Sequence, residues 1–255
     1  MLSPALRSIH DAVYVVTVSS HIDRHENTIQ ELGQGNFEFV YGVDKHSVTK
    51  EQLIRDRIYD EERAKALDPK NRAMNLGQIC CAHTHNEIYE RMLKTCIEWA
   101  VIFEDDVTIY SFREDEMSAA IANIPDDAEI ILWGWLGGRF RPPLGVIQQA
   151  TFHVKHVFGA YKFDHRMIRN VYMRPYNEHF DIGAVNYGTY AYTITRSGAE
   201  KLLSLNRPIV LNSDHATIIG ALRGDVEMYV SRKQFFGNRS INTDDPVESL
   251  IKGYS

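Results

Sequence analysis

The chain has 255 residues, 44% hydrophobic and 24% charged, enough for one large α/β domain or two small ones with a substantial core. Its formal net charge is -6 and it has no long basic run. That argues against a nucleic-acid partner, since neutralising phosphates takes clustered Lys and Arg; the local pair Arg139 and Arg141 in GGRFRPP is the nearest thing to a basic patch.

Val13 to Val18, VYVVTV, is a nearly continuous β-branched run, the pattern of a strand buried in a parallel sheet. SSHIDRHENTIQELG then reads as a loop and a helix stopping at Gly33. FEFVYGVD, Phe37 to Asp44, alternates like a second strand ending on an acid, which completes a βαβ unit. Lys50 to Lys70 is charged and helix-prone with weak periodicity, an insertion or lid ending near Pro69. From Gly77 to Ile97, Ile79, Ala82, Ile88, Met92 and Cys96 recur at helical spacing with no proline between them. This helix holds all three cysteines, Cys80, Cys81 and Cys96. An odd count with two neighbours suits a reducing compartment better than a disulfide framework.

WAVIFEDDVTIY follows, an apolar strand running straight into Glu104, Asp105 and Asp106. Glu129 to Trp133 is another buried strand, leading into a glycine turn. Arg139 to Val185 has weak periodicity and reads as irregular strands and loops. Tyr190 to Thr195 alternates as a strand, followed by a turn and a helix capped near Ser197. Ser213 or Asp214 is placed to cap the next helix, HATIIGAL, and the tail from Gly237 is polar. No run reaches the roughly 18 apolar residues of a membrane span, and no signal peptide is visible. The expectation is a soluble, cytoplasmic chain that can still meet the inner face of a membrane peripherally; nothing in it fixes an oligomeric state.

Three adjacent carboxylates repel one another unless water or a cation relieves them. In a strand, Glu104 and Asp106 share a face and Asp105 takes the other. Parallel sheets bind ligands outside the carboxyl ends of their strands, where paired oxygen ligands suit Mg²⁺ or Mn²⁺. A solvated acidic turn is the plain alternative.

The ordered pieces VYVVTVSSHIDRHENTIQELG, FEFVYGVD, LGQICCAHTHNEIYERML, WAVIFEDDV and YGTYAYTITRSGAEKLL resemble glycosyltransferase family 25, the lipooligosaccharide and collagen galactosyltransferase group. They are similar to its D-R-containing loop, its second strand ending on Asp, its G-x-x-G-C-x-x-S-H helix, its apolar-EDD signature and its Y-G-x-x-A-Y segment, over roughly residues 11 to 215. His25, Lys45, Cys80 and Thr84 depart from the family's usual residues. The resemblance implies an α/β protein with a single A-type glycosyltransferase fold, a Rossmann-like mixed sheet flanked by helices. Residues 11–110 would form its nucleotide-sugar half and 111–255 its acceptor half.

It further implies an inverting, metal-dependent transfer of a hexose, galactose from UDP-galactose, to a glycan such as lipooligosaccharide. Mn²⁺ or Mg²⁺ would sit on Asp106 with Glu104. Asp23, Arg24, Asp44, His85, Glu104 and Asp105 would bind donor. Tyr187, Gly188 and Tyr190 would line the acceptor cleft, and Asp214 would be the base. Arg239 and Ser240 would close over the diphosphate. Each has a structural alternative: a turn residue for Asp44, a surface cation for Arg24, a helix cap for Asp214, a plain strand for Tyr190. Two other functions compete. A metallohydrolase using His83, His85, Asp106 and Asp214 requires HTH off a helix, because two helical positions differ by about 200°. A non-catalytic, transferase-like binding domain would leave UDP unbound with or without Mn²⁺.

Overall fold

A computed structural model describes residues 1–68 and 70–239; Pro69 and Ser240, both invoked above, lie outside the described residues. In chain order the elements are α1 (Pro4–Ser8), β1 (Ala12–Thr17), α2 (Ile22–Leu32), β2 (Glu38–Tyr41), α3 (Lys50–Arg55), α4 (Glu61–Leu67), α5 (Leu76–Lys94), β3 (Trp99–Glu104), β4 (Val107–Ile109), α6 (Glu114–Ala122), β5 (Ile130–Leu132) and β6 (Leu136–Gly137). Then come α7 (Gly145–Val157), α8 (His165–Arg169), β7 (Arg174–Pro175), β8 (Phe180–Ile182), β9 (Asn186–Tyr187), β10 (Ala191–Thr195), α9 (Arg196–Leu205), α10 (Ser213–Arg223), β11 (Met228–Ser231) and β12 (Phe236–Asn238).

Eight strands make the main sheet in the order β2-β1-β3-β10-β5-β11-β8-β7. β2, β1 and β3 are parallel, β10 runs antiparallel between β3 and β5, and β11 is parallel to β5. This is the mixed α/β sheet flanked by helices expected from the sequence. The two sequence halves interleave in it, since β10 lies between β3 and β5. Alternation along the strands sorts the core into two layers. Tyr14, Val16, Ile102 and Tyr192 face Ile88, Met92, Leu202 and Leu222 of α5, α9 and α10. Val13, Val15, Val101 and Phe103 face Leu6, Leu32 and Met117 of α1, α2 and α6.

α5 is one unbroken helix of 19 residues, opened by a capping box between Asn75 and Gln78 and carrying Arg91 and Lys94 in its last turn. Several boundaries differ from expectation for local reasons. β2 stops at Tyr41, three residues short of Asp44. The chain there turns tightly against α5, where a Cβ on Gly42 would lie 1.9 Å from Thr84 Oγ1. α9 follows β10 with no turn, because Thr195, not Ser197, caps it by accepting from Gly198 N. α10 is capped by Asn212, which accepts from His215 N at 2.8 Å, so neither Ser213 nor Asp214 is the cap. The segment expected to be irregular holds a 13-residue helix, α7, whose apolar residues Val146, Ile147, Val154 and Val157 face solvent while Phe152 stacks on Tyr161, so its pattern shows no core-facing stripe. Among the described residues no helix is long and apolar enough to cross a membrane.

Candidate functional site

β1 and β3 lie side by side and parallel with Val16 opposite Glu104, so their carboxyl ends open on the same edge of the sheet. The next strand, β10, enters from that edge, and Glu104 N donates to Tyr190 O at 3.0 Å. β3 ends at Glu104; Asp105 and Asp106 form the turn into β4. The three carboxylates therefore diverge.

Asp105 points back into the protein and is 2% exposed. Its oxygens accept from Thr17 Oγ1 at 2.6 Å, Arg24 Nη1 at 2.7 Å and His21 Nδ1 at 3.2 Å. Burial alone would raise its pKa, but the His21 hydrogen bond, the Arg24 charge and the Thr17 hydroxyl together hold it below the ordinary carboxylate value. Arg24, itself buried, also lies 3.9 Å from Asp106 Oδ2. Asp106 Oδ1 accepts from Asn238 Nδ2 at 2.8 Å, and its carbonyl accepts from Arg239 N at 2.8 Å. β12 thus seals the acidic turn by pairing with β4.

Glu104 turns the opposite way, toward α5 and α10. Its side chain keeps 17% of its surface, yet burial and then the neighbouring charges of Asp106, Asp214 and Asp105 push its pKa well above the ordinary range, against a smaller opposing effect of Arg24. Thr189 Oγ1 approaches Glu104 Oε1 at 3.4 Å, and His85 Nε2 lies 3.9 Å away. His85 is 1% exposed. Its Nδ1 meets Tyr192 OH at 2.8 Å, which continues to Tyr89 OH at 2.7 Å, while its Nε2 is buried with no hydrogen-bond partner. Burial lowers its pKa to about 4, so the imidazole is neutral at pH 7. One helical turn earlier, Cys81 completes a group with His85 and Glu104 in which one ligand atom from each lies within 4.8 Å of the others.

Asp214 enters from the first turn of α10. Its Oδ1 accepts from Gly188 N at 2.8 Å and from Thr189 N and Oγ1 at 3.0 Å. Thr189 Oγ1 thus bridges Asp214 and Glu104, and Asn212's capping role leaves Asp214 available. Gly188 is required there: a Cβ would lie 2.4 Å from Gly134 O.

The edge therefore gathers Glu104, Asp105, Asp106, His85, Asp214 and Gly188. Other expected residues stand elsewhere. Asp23 is exposed in the first turn of α2. Asp44 lies in the loop after β2, accepting from Ser20 Oγ at 2.6 Å and His46 N at 2.9 Å, and these bonds lower its pKa. His83 faces away from the edge, with Nδ1 3.6 Å from Glu87 Oε2. With HTH inside a continuous helix, the metallohydrolase loses the geometry it requires. Arg24 is committed to Asp105 and does not project into the cleft as a surface phosphate ligand would. Tyr190 offers no stacking face, because its ring is 5% exposed and packs in the core with Phe236. Tyr187 is 38% exposed, lies 5.9 Å from the His215 ring and borders an apolar cavity of about 140 Å³ that Met74, Phe163, Leu211 and Ile218 help to line.

Thr17, His21, Thr189 and Asn238 were not visible as site residues. Thr189 falls inside the Y-G-x-x-A-Y segment, which is a usable signal; Asn238 has none, because it reaches Asp106 across 132 positions. Glu104 and Asp106 each carry the hard oxygen atoms that Mg²⁺ or Mn²⁺ takes, while the group of three ligand atoms that the described residues bring within 4.8 Å of one another is that of Cys81, His85 and Glu104.

The acidic turn lies at the carboxyl end of β3, a strand parallel to its neighbour β1, which is the edge where open α/β sheets bind ligands. The family model of glycosyltransferase family 25 (LPS biosynthesis protein) matches residues 10–217, and the chain belongs to that family. It is thus a glycosyltransferase, with a nucleotide sugar as donor and a glycan as acceptor class. Among solved structures, the crystal structure of mannose-1-phosphate geranyltransferase from Thermus thermophilus is similar over 89% of this chain and 75% of that one, at 9% identity and a TM-score of 0.34. No curated protein matches the chain.

Proposed function

We propose that the chain transfers galactose from UDP-galactose to a hydroxyl of a glycan such as lipooligosaccharide, with inversion and with Mn²⁺ or Mg²⁺ bound. The metal assignment is supported by Glu104, whose pKa burial and then the charges of Asp106, Asp214 and Asp105 push well above the ordinary range, a condition that a divalent cation would relieve. Asp106 and Glu104 would hold the ion. When bound, it supplies Lewis-acid neutralisation of the departing diphosphate.

The chain's own residues account for the rest. Asp105 anchors the turn through Arg24, Thr17 and His21, so that Asp106 is presented in one orientation. His85, held by Tyr192 at Nδ1, keeps its neutral, buried Nε2 3.9 Å from Glu104 Oε1 and would act on the donor by positioning Glu104. Asp44 meets the nucleoside. Asp214 is fixed through Oδ1 by Gly188 and Thr189; among the described residues its Oδ2 accepts no hydrogen bond and takes the proton of the attacking hydroxyl. Tyr187, beside the apolar cavity, lines the acceptor side.

The test is a screen of nucleotide sugars for thermal stabilisation and slow donor hydrolysis with Mn²⁺. A donor at a hundred times its Kd stabilises the native state by about 2.7 kcal/mol, roughly 5–10 °C for a chain of this size. Asp106→Asn keeps the oxygen that Asn238 bonds and is expected to fold while losing at least about a hundredfold in metal-dependent turnover. Full activity in that variant, or no UDP-sugar response with Mn²⁺, overturns the assignment.

A further inference from the structure

α7 is amphipathic in the opposite sense to a core-packed helix. Its polar side faces inward: Gln149 Nε2 donates to Ile168 O at 2.9 Å, His153 Nδ1 meets His165 Nδ1 at 2.7 Å, and His156 Nδ1 meets Tyr161 O at 3.2 Å. Its apolar side faces out. Leu144, Val146, Ile147, Val154, Val157 and Phe158 are 56–81% exposed, where folding ordinarily buries such residues. At 100° per residue the positions among them from 146 to 158 fall on one arc of about 120°. Of the thirteen large hydrophobic residues exposed among the described residues, seven lie between 140 and 158. A patch so concentrated marks a binding surface rather than scattered surface apolarity.

Charge says what kind of partner fits. No aspartate or glutamate occurs from 130 to 163, although the whole chain is acidic. Arg139 and Arg141 precede the helix, Lys155 lies on its flank, and all three are exposed. A second copy of the chain laid two-fold on this face would bring cations against cations. An apolar arc bordered by exposed cations instead suits the interface of an anionic bilayer, where hydrocarbon takes the apolar side chains and headgroup phosphates take the basic ones.

We infer that α7 is a membrane-docking helix that lies in the plane of an anionic lipid surface. It precedes α8 and follows β6, and β6 pairs with β9, the strand ending at Tyr187. Docking therefore holds the acceptor side of the cleft near the bilayer, where a lipid-borne glycan would be presented. The surface contact itself does not depend on the transfer reaction, because vesicle binding is read without turnover.

The test is co-sedimentation of the full chain with vesicles of phosphatidylcholine alone or with one-third phosphatidylglycerol, at low and high salt. Binding is expected only to the anionic vesicles and is expected to weaken with salt. Arg139→Gln/Arg141→Gln/Lys155→Gln is expected to lower the partition about a hundredfold, at about fivefold per basic residue near an anionic surface. Val154→Glu/Val157→Glu replaces exposed side chains, so it is expected to fold normally, retain activity on a soluble acceptor and lose at least about tenfold in binding. Wild-type protein left in the supernatant, equal binding to both vesicle types, or unchanged binding by the valine variant overturns the inference. A dimer that Val154→Glu/Val157→Glu dissociates, without vesicle binding, assigns the face to a second copy and overturns it as well.

Discussion

Replacing Arg24 with methionine separates two roles for this residue. The guanidinium is buried, 2.7 Å from Asp105 Oδ1 and 3.9 Å from Asp106 Oδ2. A charge pair about 4 Å apart at an effective dielectric of about 20 is worth roughly 4 kcal/mol. Breaking a buried pair from one side costs about 3–5 kcal/mol. Thr17 and His21 still donate to Asp105 in the variant, so the loss is expected near the low end, about 3 kcal/mol, or roughly 6–12 °C in Tm. Arg24→Met/Asp105→Asn removes both charges and is expected to recover much of that loss. Asp105's depressed pKa contributes stability that is present above the unfolded value of 3.8 and lost as pH falls through the folded pKa; the gap between wild type and Arg24→Met therefore narrows below about pH 4. Urea unfolding at pH 7 and about pH 3 checks both. A variant as stable as wild type at pH 7 but with a raised donor KM would refute the anchoring role and return Arg24 to the diphosphate.

Asp214→Asn preserves the oxygen that accepts from Gly188 and Thr189, so it is expected to fold while kcat falls about 10²–10⁴-fold and donor affinity stays within a few-fold; steady-state kinetics with an identified acceptor decides this. Gly188→Ala brings a methyl to 2.4 Å from Gly134 O and displaces the amide that holds Asp214, so both Tm and kcat are expected to fall, measured by calorimetry and turnover. His10 is buried between Leu6 O and Thr193 Oγ1, and burial lowers its pKa from 6.5 to about 4. Because the unfolded chain binds the proton first, stability is expected to fall as pH drops below 6.5, by roughly 2 kcal/mol at pH 5. His10→Gln should flatten that slope in a series of thermal melts.

The parts of the fold built from uninterrupted patterns were legible. Val13 to Val18 and Ala100 to Phe103 are continuous apolar runs because both faces of their strands are covered, and α5 carries its buried residues at helical spacing. α7 escaped for the converse reason: its apolar arc meets solvent and its polar arc meets protein, so no inward-facing hydrophobic stripe announces it. In the site, the alternation argument correctly turned Asp105 away from Glu104, although a turn rather than a strand does the turning. The meeting of Asp214 with Thr189 was not legible in the same way, since it depends on how α10 is placed against the entry to β10. Asp44 was placed at a strand end because its pattern continues past Tyr41; Gly42, turning hard against Thr84, breaks the strand first.

β12 returns to pair with β4 long after the acidic turn has been laid down. During synthesis the carboxylates of residues 104 to 106 leave the ribosome well before Asn238 does. A nascent chain therefore carries the charge cluster without the amide that orients Asp106. Among the described residues β12 is the last strand, and products ending ahead of it would lack both the buried Phe236 ring and the amide that holds Asp106, so the acidic turn would be left unsealed.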